Sequence, residues 1–388
     1  MKPSKHDLAR LVIDIAPMRE EQFTGIPNVV KEVALRALAV PALDLAIEFA
    51  VGDNLIDREI VAATVAASSG RPLNQALRTS AGVRPLSMSD LGPTAGLNLH
   101  IKPPFRRFAI EALFFHDLSF LSIPKVHQAG TLRAHLNGFR AQVDSTDIFF
   151  TNSNATKLDL EWYCGVPDAK IHVTHLGHDI ETSSVAAMRC RIGSGAEPFL
   201  LVLGTIEPRK NIAFVLEWLV ANRAVLDEYR VVFCGREGWG DSFDELVGSA
   251  GLVDALERGR LKHVGFVNAD QRLALLVSAQ ALIFPSLYEG FGLPGLEAMA
   301  CGTPVLASCS TSIPEVVGPD GLYFDPLNPF SLTKVFERFC KEKKDGRLEK
   351  RLARLSHRST EFSYDTMFRS MVATIKSHCI LRGKPPPQ

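Results

Sequence analysis

The sequence has no excess charge of either sign: its 388 residues include 43 Lys+Arg and 43 Asp+Glu. That balance argues against a broad basic field, and so against a nucleic-acid binder of the ordinary electrostatic kind. Neither half carries a basic arm or an acidic tail. The seven cysteines are odd in number, and no two form a Cys-x-x-Cys pair. This excludes a simple disulfide framework and a common structural zinc site; the cysteines read as free thiols of a reducing cytoplasm. No apolar run approaches the ~18 residues that a membrane span requires. The first residues, Met1 to Pro17, carry charge but no apolar stretch of signal-peptide length. His127, His172, His175 and His178 lack the spacing of a metal site. What is present is an apolar fraction of 46%, ordinary for a globular chain. The length suits two or three domains at roughly 150 residues each.

Residues 8–16 read as a first buried strand, followed by the loop Thr24-Gly25-Ile26-Pro27. Helical spacing of Val29, Val30, Val33, Leu35 and Leu38 predicts a helix from Asn28 to Leu38. Over 43–51 the period suits strand or helix. The stretch 64–108, rich in Ser, Gly, Pro and Arg, reads mostly as loops. Strands are expected at 109–115, 147–151 and 170–176. Helices are expected from Leu132 to Val143 and from an N-cap at Ser153 to about Cys164. A weakly patterned stretch, 183–197, is the expected linker between a domain of 1–182 and one of 198–362. Beyond the linker, apolar strands at 199–203, 230–234, 261–264, 281–284 and 304–307 alternate with helices at 211–223, 242–250, 269–278 and 294–300 and from 313. Such alternation predicts βαβ units and a parallel sheet. The expected fold is α/β, two Rossmann-like doubly wound domains. Ligands of such folds bind outside the carboxyl ends of the strands, and the cleft between domains is the natural site.

Three segments follow strands of the second half. Gly204-Thr205-Ile206-Glu207-Pro208-Arg209-Lys210-Asn211 sets two cations before a helix, the makings of an anion site. Taken alone, Arg209 and Lys210 read equally well as solvated surface charges. Gly235-Arg236-Glu237-Gly238-Trp239-Gly240 has the order G-x-x-G-x-G, not the dinucleotide order G-x-G-x-x-G. A glycine turn near a nucleotide base, or simply a turn, fits it better. The third segment runs from Pro285 to Ala298 and spaces Glu289 and Glu297 around Gly290, Phe291, Gly292, Leu293 and Pro294. Its glycines let a ligand approach the backbone, and Pro294 suits a first helical turn. A lone Glu at either position reads as a loop acid or a helix N-terminal acid. The combined spacing favours a ligand with two separate contact points.

Glu289-x7-Glu297 with its GFGLP insert, followed by Glu-Ala-Met-Ala-Cys-Gly-Thr-Pro-Val over 297–305, resembles the retaining glycosyltransferases of the GT4 family, of GT-B fold. GTIEPRKN at 204–211, VGFV at 264–267, Ile313-Pro314-Glu315-Val316-Val317 and Gly321-Leu322-Tyr323-Phe324-Asp325-Pro326 support the resemblance. It is continuous over about 199–330. In the first half it is weaker, at Thr24-Gly25-Ile26, His116-Asp117-Leu118-Ser119-Phe120 and Thr151-Asn152-Ser153.

The resemblance implies two domains facing across a cleft, with a C-terminal helix at about 363–380 packed back on the first. It implies that Glu297 binds the ribose of a sugar nucleotide and Glu289 the hydroxyls of the donor sugar. Arg209 and Lys210 would hold the diphosphate, with Gly204 and Thr205 at the same loop. Phe291, Gly292 and Leu293, with Gly290, would offer backbone contacts. Gly25 would lie beneath the diphosphate, His116 near donor sugar and acceptor, and Gly235, Phe266 and Val267 around the base. The chain departs from many relatives at Gly204, where an Arg is common, and at Asn28. His116 alone reads more readily as a hydrogen-bonded structural residue. The chain has no Asp-x-Asp motif for a divalent cation, so no metal or cofactor is expected. Cations and helix dipoles would neutralise the leaving group instead.

The expected activity is transfer of a hexose with retention, GDP-mannose being the first choice of donor and dTDP-rhamnose and UDP-hexoses next. The expected acceptor is a glycan or lipid-linked group in lipopolysaccharide or exopolysaccharide biosynthesis, at the inner face of the cytoplasmic membrane. The alternatives are another GT-B enzyme such as a sugar-nucleotide epimerase, or a non-catalytic sugar-nucleotide-binding subunit. The basic-aromatic stretch Lys102-Pro103-Pro104-Phe105-Arg106-Arg107-Phe108 reads as a membrane-facing patch or as an ordinary loop.

Overall fold

Short runs of β-branched, leucine and aromatic residues become the buried strands of two sheets. The computed structural model describes residues 10–40, 46–86, 94–193 and 197–382. These form two compact units. The first takes the chain up to Leu118, then Arg133–Gly177 and the part from Ser363 on; the second takes Ser119–Leu132 and His178–Phe362.

The first unit is built on eight strands: β1 (Arg10–Asp14), β2 (Ala46–Val51), β3 (Asn54–Ile56), β4 (Val83–Pro85), β5 (Thr94–Asn98), β6 (Ile110–Phe115), β7 (Ile148–Thr151) and β8 (Ile171–Val173). Their order is β4-β3-β2-β1-β5-β6-β7-β8. β1 pairs in parallel with β2 on one side and β5 on the other, Val12 lying opposite Glu48 and Gly96. Strand addition therefore reverses at β1, the place where such sheets open a ligand crevice. β3 and β4 form an antiparallel extension at one edge. Helix Ile26–Ala39 starts at Gly25, whose φ of 54° is open to glycine, and carries Pro27 in its first turn. Ser153 caps helix Asn154–Cys164 by accepting from Thr156 N–H.

The stretch expected as loops, 64–108, holds the end of helix Arg58–Ala67, helix Arg71–Thr79, β4 and β5. The helix buries only Leu73 and Ala76, and β5 reads TAGLN although all five residues are buried. β5 shows no apolar alternation, whereas helix Arg71–Thr79 carries Leu73, Ala76 and Leu77 at helical spacing, a short pattern that the surrounding Ser, Gly, Pro and Arg obscure. Residues 87–93 of that stretch, 8–9 of the first expected strand and 43–45 of the next element lie outside the described residues. Residues 46–51 are strand, and the helix expected over 132–143 is two helices, Ala129–Leu136 and Phe139–Asp144, divided at Gly138 with φ 68°. The last helix, Tyr364–Arg382, belongs to this unit and packs on helix Ile26–Ala39. Arg36 ties the two, with Nε 2.6 Å from Asp365 Oδ1 and its guanidinium over the Tyr364 ring.

The second unit has six parallel strands: β9 (Phe199–Leu203), β10 (Arg230–Cys234), β11 (Leu261–His263), β12 (Ala281–Phe284), β13 (Val305–Ser308) and β14 (Leu322–Phe324). Their order is β11-β10-β9-β12-β13-β14, so the reversal lies between β9 and β12. Both faces are covered: Trp218, Phe233, Phe243 and Phe339 fill one side, and Phe284, Met299, Ile313 and Leu355 the other. The expected linker, 183–197, is largely helical. Helix Thr182–Ile192 packs on helix Ala269–Ser278, buries Val185 and Met188, and donates from Arg189 Nη2 to Cys301 O at 2.7 Å. Two buried apolar residues among eleven gave too little pattern to read it. Residues 194–196 lie outside the described residues.

Candidate active site

In the second unit, the loops after β9 and β12 flank the point of strand reversal. Residues Pro208–Lys210 form one 3-10 turn, and Asn211, at φ 58°, opens helix Ile212–Ala221. The two loops are stitched together by Leu287 N–H donating to Arg209 O at 2.9 Å and Asn211 Nδ2 to Pro285 O at 3.2 Å. Arg209, Lys210 and Glu289, 79 positions apart for the last two, thereby meet. Lys210 Nζ lies 2.7 Å from Glu289 Oε1, and Arg209 Nη1 lies 3.6 Å from Glu289 Oε2. Ser286 Oγ donates to Glu289 Oε1 at 2.6 Å, and Arg209 Nη2 also lies 3.0 Å from Glu207 Oε1. Burial pushes the Glu289 carboxyl up, but Lys210, Arg209 and the Ser286 hydroxyl outweigh it and hold the pKa below the ordinary value. The site holds two cations against an ionised acid, with a second carboxylate at Glu207.

The glycines explain how these loops lie so close. Gly204 takes φ 155°, a backbone conformation that favours glycine, while a Cβ there would make only ordinary contact with Lys210 Cδ at 3.4 Å. At Gly235 a Cβ would fall 1.9 Å from Gly204 O, so only glycine fits. Thr205 is half-buried beside Gly238, where a Cβ would come within 2.7 Å of its methyl. Gly292, φ 113°, turns the chain into helix Leu293–Ala300, leaving Gly290 and Phe291 buried and the Gly292 and Leu293 amides at that helix's start.

Sequence reading missed the clamp beneath this loop. Thr311 Oγ1 donates to Glu289 O at 2.9 Å and accepts from Glu289 N–H, while Ser312 Oγ lies 2.8 Å from both Glu289 O and Phe291 O. Ser308 Oγ donates to Ser286 O at 2.7 Å. Hydroxyls after β13 carry no periodic signal; only pairing of β12 with β13 brings them here.

Glu297 stands apart from the Glu289 cluster. Its Oε2 is 2.5 Å from Arg272 Nη2, and Arg272 comes from helix Ala269–Ser278, started by an Asn268–Gln271 capping box. Burial raises the Glu297 pKa despite Arg272, and Asp179 adds to the rise. Arg272 Nε is buried without a hydrogen-bond partner. Arg272 was also missed: a helical Arg on its own reads as a surface charge. Phe266 is exposed and Val267 packs on the core below. Both follow Gly265, whose carbonyl accepts from Gly235 N–H at 3.0 Å.

In the first unit, Gly25 and His116 sit past the carboxyl ends of β1 and β6. A Cβ at Gly25 would meet nothing within 4 Å, but its φ of 54° disfavours other residues. His116 Nε2 donates to Leu99 O at 2.7 Å, leaving Nδ1 as the acceptor of the neutral ring. Burial lowers its pKa, and Leu99 and Asp117 only partly offset this. The stretch 102–108 does not form a cationic patch. Lys102 is buried and donates to Pro103 O, Phe105 O and Ser145 Oγ; Arg106 pairs with Asp147 and Arg107 with Asp53. Among the described residues, no three His, Cys, Asp or Glu side chains are grouped to hold a metal ion, and no helix is long and apolar enough to cross a membrane.

Comparison with known proteins bears on this geometry. Residues 191–358 match the family described as Glycosyl transferases group 1. The O-antigen chain mannosyltransferase B of Escherichia coli is 31% identical over 222 residues, 55% of this chain and 56% of that protein. The MMP alpha-(1->4)-mannosyltransferase of Mycolicibacterium hassiacum is 33% identical over 172 residues, 44% of this chain and 39% of that protein. The chain thus spans about half the length of these relatives. WaaG, a glycosyltransferase involved in lipopolysaccharide biosynthesis, superposes with a TM-score of 0.63 at 14% identity, over 94% of this chain and 99% of its own. Anabaena HepE in complex with UDP-glucose gives a TM-score of 0.65 at 15% identity, over 95% and 99%. The fold is GT-B.

Proposed function

We propose that this chain, which carries a group 1 glycosyltransferase domain on a GT-B fold, is a mannosyltransferase of cell-surface polysaccharide or lipopolysaccharide biosynthesis. The donor is a nucleotide diphosphate sugar, GDP-mannose, and the acceptor is a glycan or lipid-linked group. The observation that carries the reading is the Arg209–Lys210–Glu289 cluster at the strand reversal of the matched domain. The mannosyltransferase names of two relatives support the choice of sugar.

In this mechanism Arg209 and Lys210 take the diphosphate, and Glu289 takes hydroxyls of the hexose. Glu297, held by Arg272, takes the ribose, and Phe266 with Gly235 lies at the base. The acceptor oxygen attacks the anomeric carbon from the face the phosphate leaves. The anomeric C–O bond to the β-phosphate breaks, and the acceptor proton passes to the departing phosphate oxygen. Configuration is retained. The protein stabilises the charge gathering on the diphosphate through preorganised cations and needs no metal. In the first unit, His116 offers neutral Nδ1 to a hydroxyl.

The test is a thermal-shift series with GDP, UDP and dTDP, followed by transfer from the nucleotide sugar selected. A ligand that binds only the folded state raises Tm by mass action. Selective stabilisation by GDP, with mannose appearing on an acceptor in the α configuration it had in the donor, is the expected result. Stabilisation by UDP or dTDP alone would overturn the donor, and binding without transfer would return the non-catalytic reading.

A further inference from the structure

The first unit has an open groove at the carboxyl end of β1, where strand addition reverses toward β5. Arg19, Glu20, Asn74, Leu77 and Arg78 line it. It is separate from Gly25 and His116, and no step above uses it.

Arg19 and Arg78 stand without an acid partner among the described residues, as do Arg58, which donates to carbonyls, and Arg71 of the same unit. Elsewhere in this unit Arg10 and Arg84 pair with Glu48, Arg36 with Glu32 and Asp365, Arg106 with Asp147, Arg107 with Asp53, and Arg140 with Asp144. Among the described residues, neither Arg19 nor Arg78 forms an ion pair, although Glu20 lines the same groove. Two exposed guanidiniums on one groove offer forked N–H donors to an anion.

The walls are built rather than loose. Asn74 Nδ2 donates to Arg19 O at 2.8 Å, and Arg19 Nε donates to Asn74 Oδ1 at 3.2 Å. Gly70 N–H donates to Glu20 O at 2.7 Å. A Cβ on Gly70 would lie 2.4 Å from Arg19 backbone carbon, so only glycine allows this approach. Met18 is buried and anchors the turn Ala16–Arg19, and Leu73 and Ala76 anchor helix Arg71–Thr79. The chain thus spends two reciprocal side-chain bonds and a glycine contact on holding Arg19 beside the Asn74–Arg78 face.

We propose that this groove binds the phosphoryl group of a phosphorylated sugar. Arg19 and Arg78 grip the phosphate through forked N–H donors. Glu20 and the Asn74 amide accept from and donate to sugar hydroxyls. A pure polyanion would be opposed by Glu20; two cations with one carboxylate and one amide suit a phosphate attached to a polyol. The phosphate is that of a free glycosyl phosphate or of a lipid-linked one. The assignment names an acceptor class for the glycosyltransferase reading and rests on it to that extent. Binding is measured without donor, so the site and the transfer reaction fail separately.

The experiment is calorimetric titration of the full chain with glucose 1-phosphate, methyl glucoside and inorganic phosphate. It is paired with flotation on phosphatidylcholine vesicles with and without polyprenyl phosphate. Saturable binding of glucose 1-phosphate, competed by inorganic phosphate and absent for methyl glucoside, is expected. Arg19→Gln with Arg78→Gln should weaken it about tenfold or more, the scale of ~1.4 kcal/mol. Arg78→Gln alone should weaken it without disturbing the turn, because Arg78 bonds no described residue. Arg71→Gln, two turns away on the same helix, should change it less than about twofold. Binding confined to polyprenyl phosphate vesicles, and lost in the double variant, would identify the lipid-linked source. Equal loss in Arg71→Gln would mean diffuse charge and overturn the site. So would unaltered binding by the double variant, or no binding of glucose 1-phosphate, inorganic phosphate or polyprenyl phosphate vesicles.

Discussion

Lys210 Nζ and Glu289 Oε1 lie 2.7 Å apart, and neither residue has a local reason to meet the other. Glu289 is buried and Lys210 half-buried, and each partner shapes the electrostatics of the other. Lys210 and Arg209 hold the Glu289 pKa below its ordinary value although burial pushes it up. Glu289 in turn keeps two neighbouring cations from repelling one another. A diphosphate arriving at this pair meets cations already placed.

Lys210→Ala should therefore do two things. It removes a preorganised charge from the leaving group, at a cost of roughly 2–4 kcal/mol of transition-state stabilisation. It also leaves Glu289 with less compensation, so its carboxyl titrates higher. Steady-state kcat/KM for donor checks the first effect; a variant that keeps most of it would remove Lys210 from the diphosphate. EDTA should leave wild-type activity largely intact, and loss restored by Mg²⁺ or Mn²⁺ would contradict a metal-free reaction.

The two glutamates should fail differently. Glu297 is assigned to the ribose, whose contacts are equally present in ground and transition states, so Glu297→Gln should raise KM more than it lowers kcat. Glu289 is assigned to the hexose, so Glu289→Gln should lower kcat itself. Kinetics on both variants, with the folded fraction verified, decide. The reverse pattern would exchange the two assignments, and no change in either would misplace the donor site.

Acid should separate them as well. The Glu297 pKa is raised and that of Glu289 lowered from the same ordinary 4.5. As pH falls, Glu297 takes its proton first, and donor KM should rise before kcat falls. For stability the signs are opposite. Ionised Glu289 stabilises the fold above the unfolded pKa, and that contribution is lost as pH falls through its depressed folded value. Ionised Glu297 is a cost at neutral pH that fades as pH falls through its raised value. Removing Arg272 takes away the cation that limits the rise, so Arg272→Ala should move the KM transition toward neutrality. Arg272→Lys should restore part of it. A KM–pH profile unmoved by Arg272→Ala would show that Arg272 does not position Glu297.

Two glycines to alanine should bracket the role of backbone approach. Gly235→Ala places a Cβ 1.9 Å from Gly204 O and should cost about 1–3 kcal/mol by chemical denaturation. Gly248→Ala, in helix Phe243–Ser249 with nothing within 4 Å, should gain about 0.5–1 kcal/mol. Equal stability of the two variants would mean that the loops after β9 and β10 can separate freely.

The sequence by itself determined the strand–helix alternation of the second unit, because FLLVL, RVVFC, ALIF and their intervening helices bury both faces of a parallel sheet and show it as unbroken apolar runs. It also determined which loops carry the chemistry, since glycines, a paired Arg-Lys and two spaced glutamates mark them. It did not determine β5, where burial falls on small and polar residues, nor helix Thr182–Ile192 in the expected linker, and the short helical spacing of Leu73, Ala76 and Leu77 is obscured by the Ser, Gly, Pro and Arg around it. Only the tertiary structure decided that Lys210 meets Glu289, that Arg272 is the partner of Glu297, and that Thr311 and Ser312 pin the Glu289 backbone. The same holds for Lys102, whose charge turns inward onto Pro103 and Phe105 carbonyls and the Ser145 hydroxyl. The physical reason is range. Periodicity and turn chemistry act over a few residues and are written locally, whereas a buried charge is satisfied by whatever the order of strands brings beside it.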